Sequence, residues 1–449
     1  MKSSKYNLYI SLCGPKYVVY NTLHGSITFV DEEMKSALES NQLQNVDDTS
    51  KNQLYAQGIL VEKNTDELSQ YRHVFLKEMY APSYASITVF PTYACNLSCH
   101  YCYQKWSDAP KASMTESVLT NTMAFLKSQL AADNPRALLV KVFGGEPLVH
   151  PQATKTLLAG LHEWADSQRI QFFGTLTTNG TLFTGELFEA LSPHLGAVHI
   201  TLDGPQPLHD SIRYYSKGNG TYEDIMHSLS LLSKTSIRVC LRINVHDNDY
   251  ETTTLLLQDI KERGFSKCPN FELDFGLIVQ KDTCDVGLNE EEYIAGKEIA
   301  VASVQYIQKM LNHVGWENPQ NVRYPDNVRM DNPPVLCDQT KRKRYIIDSF
   351  GDIYLCPSKA GEKEYRVGQI GEGGRVTWNN DFYTILTRHP ADFEECSSCA
   401  YLPVCGGGCA IHAREKNGDY RTSFCGAVKT ITAQKVLSYV ERYYPNRIE

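Results

Sequence analysis

From Ser86 onward the chain alternates between two hydrophobic periods. Six short runs are apolar or β-branched at most positions and read as strands: SITVFP (86–91), ALLVKVF (137–143), QFFGTLTT (171–178), AVHITLD (197–203), RVCLRINV (238–245) and FELDFGLIV (271–279). Between them, apolar residues recur three and four positions apart over 114–132, 153–168, 185–191, 223–235 and 250–264, with a further helical stretch, 290–314, after the last strand. Successive β/α units predict parallel strands with helices packed on them. Periodicity leaves an open sheet and a barrel as alternatives, and both place functional groups in the loops that follow the strands.

The first eighty residues have a different rhythm. YNLYISL and YVVYN flank a Cys-Gly-Pro-Lys turn at 13–16, and SITFV at 26–30 makes a third strand. Asp31 is placed to cap a helix with Met34 and Leu38 on one face; a second short helix over 51–57 stops at Gly58, and ILVEK returns as a strand. This order resembles a winged-helix module. Past residue 320 the regularity ends. Residues 331–426 are rich in Cys, Gly and Pro with only short apolar runs, so they are expected to need crosslinks or metal to become ordered, and an amphipathic segment at 427–444 closes the chain. Three domains are expected, at 1–80, 81–320 and 321–449.

Composition narrows the function. With 42% hydrophobic and 21% charged residues over 449 positions, the chain has ample material for a core. Lys and Arg number 44 against 52 Asp and Glu, a formal charge of −8, which disfavours nucleic acid and anionic membrane as partners. No apolar stretch approaches the roughly 20 residues that span a bilayer, and MKSSKYNLYISLCGPK lacks a secretory apolar core. A cytoplasmic location is expected. There, 14 cysteines are metal ligands or catalysts more readily than disulfides.

Ten of these cysteines fall into patterned groups; Cys13, Cys240, Cys268 and Cys284 stand apart and are read as structural. Cys95, Cys99 and Cys102 lie in TYACNLSCHYCYQ, directly after the first strand of the β/α series. Three thiolates on one tight loop hold three corners of a cubane iron-sulfur cluster and leave the fourth iron open. Zinc would need a fourth ligand such as His100. The spacing C-x3-C-x2-C, with Tyr101 before the third cysteine, resembles the radical S-adenosylmethionine (SAM) enzymes, and this favours a partial (β/α)6 barrel of the TIM type.

The strand ends that follow extend the resemblance. Gly144, Gly145 and Glu146 with Pro147 form a GGEP motif: glycines let backbone approach a ligand, and a carboxylate pairs with an ammonium. It is similar to the family's element for the SAM amino group, although on its own GGEP is a turn. By the same similarity Thr201 and Arg213 are candidates for the ribose and carboxylate of SAM, with Asn179 in TTNG and the Leu277 backbone as further contacts. Asp203-Gly204-Pro205 is otherwise a plain turn. Arg242 and Asn244, alternating on the fifth strand, either face the cavity or belong to a core network.

Toward the C-terminus the pattern reads C-x13-G-x4-C from Cys337 through Gly351 to Cys356, then C-x2-C-x5-C-x3-C at Cys396, Cys399, Cys405 and Cys409, then Cys425. Seven thiols are too many for one zinc and too few for two four-cysteine sites. The spacing resembles the SPASM extension of radical SAM enzymes, which implies two auxiliary clusters and three 4Fe-4S clusters in all. By position Cys396, Cys399, Cys405 and Cys425 would hold the distal cluster, and Cys337, Cys356 and Cys409 the nearer one, whose fourth position is open or filled by a group other than cysteine. The basic run 341–344, KRKR, is either a solvated face or a positive field beside that cluster.

The resemblance implies an oxidoreductase in which a 5'-deoxyadenosyl radical takes hydrogen from an unactivated carbon while further clusters remove an electron. The N-terminal module is similar to peptide-recognition domains of maturases of ribosomally made, post-translationally modified peptides, in which a strand edge pairs with a leader; a plain packing domain is the alternative. The function expected is installation of a carbon-carbon, ether or thioether crosslink in a precursor peptide, with flavodoxin or ferredoxin as electron donor. A sulfatase-type maturase forming formylglycine is the competitor, but those relatives carry Asp where Pro357 follows Cys356. A non-catalytic zinc scaffold is the third reading. No side chain is assigned as catalytic acid or base.

Overall fold

The computed structural model describes residues 1–12, 14–80, 84–102, 104, 110–246, 249–278, 307–317, 321–323, 337, 341–426 and 428–447. Strand β1 (Lys2–Ser3) pairs antiparallel with β5 (Leu60–Val61), and β2 (Asn7–Ser11), β3 (Lys16–Asn21) and β4 (Ile27–Asp31) form a separate antiparallel sheet in that order. Asp31 caps α1 (Glu32–Glu39) as expected, accepting the Met34 N–H at 2.8 Å, and Asp47 caps α2 (Asp48–Ala56) through Ser50.

The pleat of β3 divides two small cores. Val19 packs with Leu38, Leu54 and Ile59 beneath the helices. Val18 and Tyr20 face the other way, onto Val436 and Val440 of the C-terminal helix Val428–Tyr443. Helix α3 (Glu67–Tyr80) has no counterpart among the predicted elements, although Tyr71, Phe75 and Met79 recur every four residues. With Tyr6 these side chains pack against Ala391, Phe393, Cys396 and Leu402. The module is therefore seated on the cysteine-rich region far along the chain.

The β/α series forms as predicted. Strands β6 (Tyr84–Val89), β7 (Ala137–Val142), β8 (Gln171–Thr177), β9 (Ala197–Leu202), β10 (Arg238–His246) and β11 (Phe271–Ile278) lie side by side in chain order, all parallel. Helices α4 (Glu116–Asp133), α5 (Pro151–Ser167), α6 (Gly185–Leu191), α7 (Gln206–Ile212), α8 (Tyr222–Leu232) and α9 (Tyr250–Glu262) connect them. Of the predicted helix 290–314, residues 307–314 are helical and the remainder lies outside the described residues. A two-residue strand β12 (Val322–Arg323) extends the sheet beside β11. The sheet runs linearly and does not close, as a partial barrel requires.

The described part of residues 331–426 packs as an extension of the barrel sheet. Strand β13 (Arg344–Ile347) adds parallel to β6, and β14 (Asp352–Tyr354), β15 (Gly368–Ile370) and β16 (Val376–Trp378) continue antiparallel from it. Tyr345, Ile347, Ile353 and Tyr354 thereby join the cluster that contains Ile87, Val140 and Leu241. Short apolar runs suffice because the open barrel edge supplies the other half of the packing. The solvated-face reading of KRKR does not hold for three of its four residues. Lys341 pairs with Glu78 at 2.7 Å, Lys343 donates to the Asp133 carbonyl at 3.1 Å, and Arg344 covers the Tyr84 ring; all three are buried, leaving Arg342 the most exposed of the four.

Candidate functional site

Cys95, Cys99 and Cys102 lie on the loop leaving β6, exposed, buried and half-buried respectively. Although Cys95 is exposed, the protein packed around its sulfur limits hydration and pushes the thiol up, and Glu146, Cys99 and Cys102 add to this as neighbouring negative charges. Metal binding reverses that preference, since a cation stabilises the thiolate. Among the described residues no three Cys, His, Asp or Glu side chains converge on one point, so the loop holds its thiols as neighbours and not as a finished coordination sphere. The His100 ring packs edge-on against Tyr214.

The glycines of GGEP serve this loop directly. Gly145 N–H donates to the Thr92 carbonyl at 3.0 Å and Glu146 N–H to Ala94 at 2.9 Å. A Cβ at Gly145 would meet the Ala94 carbonyl at 2.3 Å, and one at Gly144, where φ is +133°, would meet that of Thr92 at 2.5 Å. The cysteine loop's own backbone thus approaches both glycines closely.

Glu146 is fully buried. Its Oε1 accepts from Leu148 N at 2.9 Å and Thr178 Oγ1 at 2.8 Å, and its Oε2 from Asn179 N at 2.6 Å. Burial raises its pKa, and these donors act against that shift. Asn179 passes the connection on: its Nδ2 donates to Asn96 Oδ1 at 2.8 Å and lies 3.9 Å from Cys95 Sγ. Asn96 completes the bridge by donating to Thr181 Oγ1 at 2.8 Å. Sequence reasoning missed Asn96, whose only signal is its place between two cysteine-loop positions. The carboxylate therefore ties the ends of β7 and β8 to the cysteine loop, with one acceptor site on Oε2 beyond its bond to Asn179.

A second network lines the other side. Tyr101 donates to Asp203 Oδ2 at 2.6 Å and accepts from Arg213 Nη1 at 2.7 Å and Asn244 Nδ2 at 3.1 Å. Asn244 also reaches Asp203 Oδ1 at 2.9 Å. Both alternatives for β10 meet here: Asn244 is buried in the network, while Arg242 pairs with Asp274 at 2.9 Å and keeps 40% of its side chain exposed. Asp203, read from sequence as part of a turn, is the hub.

His209 explains how Arg213 is held. Burial and the nearby Arg213 charge push its pKa down to about 4, so the ring is neutral at pH 7. Its Nδ1 accepts from Asp203 N at 3.2 Å, which puts the proton on Nε2, 3.1 Å from Thr221 Oγ1, and Thr221 in turn donates to the Arg213 carbonyl at 2.7 Å. Burial disfavours the Arg213 charge, but Tyr101, Cys99 and Asp203 outweigh it and keep the guanidinium protonated. Its Nε is buried with no partner among the described residues, which fits a carboxylate-bearing ligand beside the cysteine loop. Thr201 pairs in register with Arg242 and is half-buried; Leu277 lies on β11 opposite Val245, and only its backbone is described.

The C-terminal thiols fall into two neighbourhoods. Burial pushes Cys396 up to about 12 and Cys405 up to about 11, with Cys425 and Cys399 adding like charge to both. Cys356, likewise held near 11 by burial, has Cys409 as its thiol neighbour. Cys337 is half-buried, and Asp338 lies outside the described residues. Cys240 is buried in β10 and Cys268 is half-buried, whereas Cys13 and Cys284 are outside the described residues. A buried carboxyl also stands between the two halves: Asp348, pushed up to about 7 by burial and by Asp352, accepts from Tyr93 of the cysteine loop at 3.3 Å.

The Radical SAM superfamily model matches residues 89–257, the span that carries both networks. This chain contains a radical SAM domain. It is an enzyme acting by radical chemistry. A serine-type anaerobic sulfatase-maturating enzyme of Bacteroides thetaiotaomicron is 23% identical, over 72% of this chain and 82% of its own. The radical SAM cyclopropyl synthase TigE of Paramaledivibacter caminithermalis is 22% identical, over 93% and 91%. The crystal structure of Streptococcus suis SuiB bound to S-adenosylmethionine matches with a TM-score of 0.51 at 14% identity, covering 95% of this chain and 99% of that one, which shows the partial-barrel fold. Among the described residues, no helix is long and apolar enough to cross a membrane.

Proposed function

We propose that this radical SAM enzyme installs an oxidative crosslink in a ribosomally made precursor peptide, using a SAM-binding 4Fe-4S cluster on Cys95, Cys99 and Cys102 and two auxiliary clusters on the seven C-terminal thiols. The observation that carries the peptide substrate is the N-terminal module. Strand β4 is an edge of its sheet, and Thr28, Val30, Asp31, Met34, Ser50 and Gln53 line a groove of about 450 Å³ between that edge and the two helices. Such an edge supports pairing with an extended leader through main-chain hydrogen bonds. The similarity to TigE, over 93% of this chain, cannot be reached without most of the first eighty residues, whereas the Bacteroides sulfatase maturase matches 72%.

When bound, the cluster and SAM together supply a 5'-deoxyadenosyl radical. The protein's own groups hold and orient. Arg213, aligned by Tyr101, Asp203 and the His209–Thr221 relay, offers its unpartnered Nε to the SAM carboxylate, and Glu146 offers its remaining acceptor site to the amino group. Thr201 and the Leu277 backbone would contact the nucleoside. The grouping of Cys396, Cys399, Cys405 and Cys425, apart from Cys356 and Cys409, supports the assignment to a distal and a nearer auxiliary cluster. Pro357 after Cys356 speaks against formylglycine chemistry. The net change is loss of two hydrogens from the peptide, one as an atom and one as a proton with its electron. The seven C-terminal thiols would hold auxiliary clusters able to accept that electron, and a flavodoxin or ferredoxin would supply the electron that SAM cleavage consumes.

Co-production with a small neighbouring-gene peptide tests the reading by mass spectrometry: losses in steps of two hydrogens are expected, and a trappable aldehyde at Cys or Ser would mean sulfatase-type chemistry instead. Cys99→Ala should abolish SAM cleavage, whereas Cys399→Ala should retain part of it while product is lost.

A further inference from the structure

Among the described residues, Arg388 is a buried charge with no carboxylate partner. Its side chain belongs to a residue only 3% exposed. The guanidinium bonds to main-chain carbonyls: Nε to Tyr420 at 2.7 Å, Nη1 to Gly406 at 3.4 Å, and Nη2 to Gly407 at 2.8 Å and Thr422 at 2.9 Å. One face covers the Phe393 ring at 4.8 Å. Neutral carbonyls satisfy donors but leave the charge unbalanced, and a buried arginine without an anion is strongly unfavourable.

The groups that surround it and can become anions are thiols from both C-terminal neighbourhoods. Burial opposes the Arg388 charge, and Cys396, Cys409, Cys405 and Cys337 act in the opposite sense. These thiols ionise on taking up metal. The buried guanidinium, held on the carbonyls of the turn between Cys405 and Cys409, is therefore complementary to an anionic group carried by these cysteines.

The loop sequence follows from the same contacts. Gly406, Gly407 and Gly408 all have positive φ, at 57°, 73° and 73°. A Cβ at Gly407 would come within 3.3 Å of Arg388 Nη2, and one at Gly408 within 1.7 Å of the Phe424 carbonyl. Three successive glycines turn the Gly406 and Gly407 carbonyls onto Arg388, while Cys405 and Cys409 at the two ends of the turn go to different thiol groups.

We infer that Arg388 is the shared counter-ion of the two auxiliary cluster sites, its fixed positive charge favouring the reduced state of both. The inference rests on the auxiliary-cluster reading above. A cluster gains one negative charge on reduction, so a permanent cation in a low-dielectric setting raises its midpoint potential. A hydrogen bond to one sulfur would act on one cluster; a charge between the two thiol groups acts on both.

The test is an EPR-monitored redox titration of the full-length, iron-loaded enzyme and its Arg388→Met and Arg388→Lys variants, with iron and sulfide measured on each. Added SAM distinguishes the SAM-binding cluster from the auxiliary signals. Arg388→Met should load iron and shift both auxiliary midpoints to lower potential with the SAM-binding cluster unmoved, and Arg388→Lys should stay close to wild type. If Arg388→Met is empty but Arg388→Lys loads, charge is again the property required. An Arg388→Met enzyme loaded with unshifted auxiliary midpoints, or loss of iron from both variants, overturns the inference in favour of a purely geometric clasp on the carbonyls. Wild-type enzyme holding iron for a single cluster would instead show the failure of the auxiliary-cluster reading itself.

Discussion

Glu146→Gln is the most direct probe of how the SAM site is assembled. Gln keeps the shape of the side chain but replaces one acceptor oxygen with a donor. Placed at Oε1, the amide nitrogen would face both Leu148 N–H and Thr178 Oγ1; placed at Oε2, it would face only the Asn179 N–H now 2.6 Å away. The second orientation is the less costly, and a buried donor turned on a donor costs about 1–3 kcal/mol. That cost falls on the segment that carries Asn179 to Asn96 and Cys95. If SAM binding requires the wild-type arrangement, affinity should weaken about 5- to 150-fold. Equilibrium dialysis of SAM against the reconstituted enzyme measures it, with amide hydrogen exchange at Asn179 as a second readout. Thr178→Val, which removes one of the same bonds without facing a ligand, should weaken binding about 5-fold, for a loss near 1 kcal/mol. Unchanged SAM affinity and exchange in Glu146→Gln would refute the reasoning. Weakening by Glu146→Gln but none by Thr178→Val would mean the carboxylate acts on the ligand alone.

Further outcomes follow from the same geometry. Gly145→Ala forces a methyl group against the Ala94 and Tyr93 carbonyls and should destabilise the cysteine loop by about 1–3 kcal/mol, read as reduced iron uptake at the SAM-binding cluster. His209 has a folded pKa of about 4, below its ordinary 6.5, so it contributes stability that is present above pH 6.5 and lost as pH falls toward 4. About 2 kcal/mol of that is gone by pH 5, and His209→Gln should flatten this part of the stability profile between pH 7.5 and 5 in thermal scans. Ser50→Trp should fill the groove beside β4 and weaken leader binding in fluorescence anisotropy at least 10-fold while leaving SAM cleavage intact. Deleting residues 1–80 is a poorer test of leader docking, because Tyr6, Tyr71 and Phe75 pack against Phe393 and Cys396 and their loss would open the distal thiol site.

What the sequence determined by itself is everything encoded in local order. The β/α alternation specified the parallel strands, because each run of apolar residues and each helical period is read within its own few residues. The Asp31 cap and the cysteine spacings belong to the same class. Helix α3 was equally local in its Tyr71, Phe75 and Met79 stripe and was overlooked. Tertiary structure alone decided which partners those residues meet. It turned the GGEP glycines toward the cysteine loop, made Asp203 a hub, buried three of the four KRKR residues, and attached β13 to β6 across more than two hundred residues of chain. Arg388 shows the reason most clearly. Nothing around it in the sequence marks an arginine that follows a short helix and precedes His389 and Pro390 as different from a surface charge. Its meaning comes from burial and from carbonyls and thiols contributed by separate segments, and burial removes the solvent that would otherwise screen and hydrate the charge.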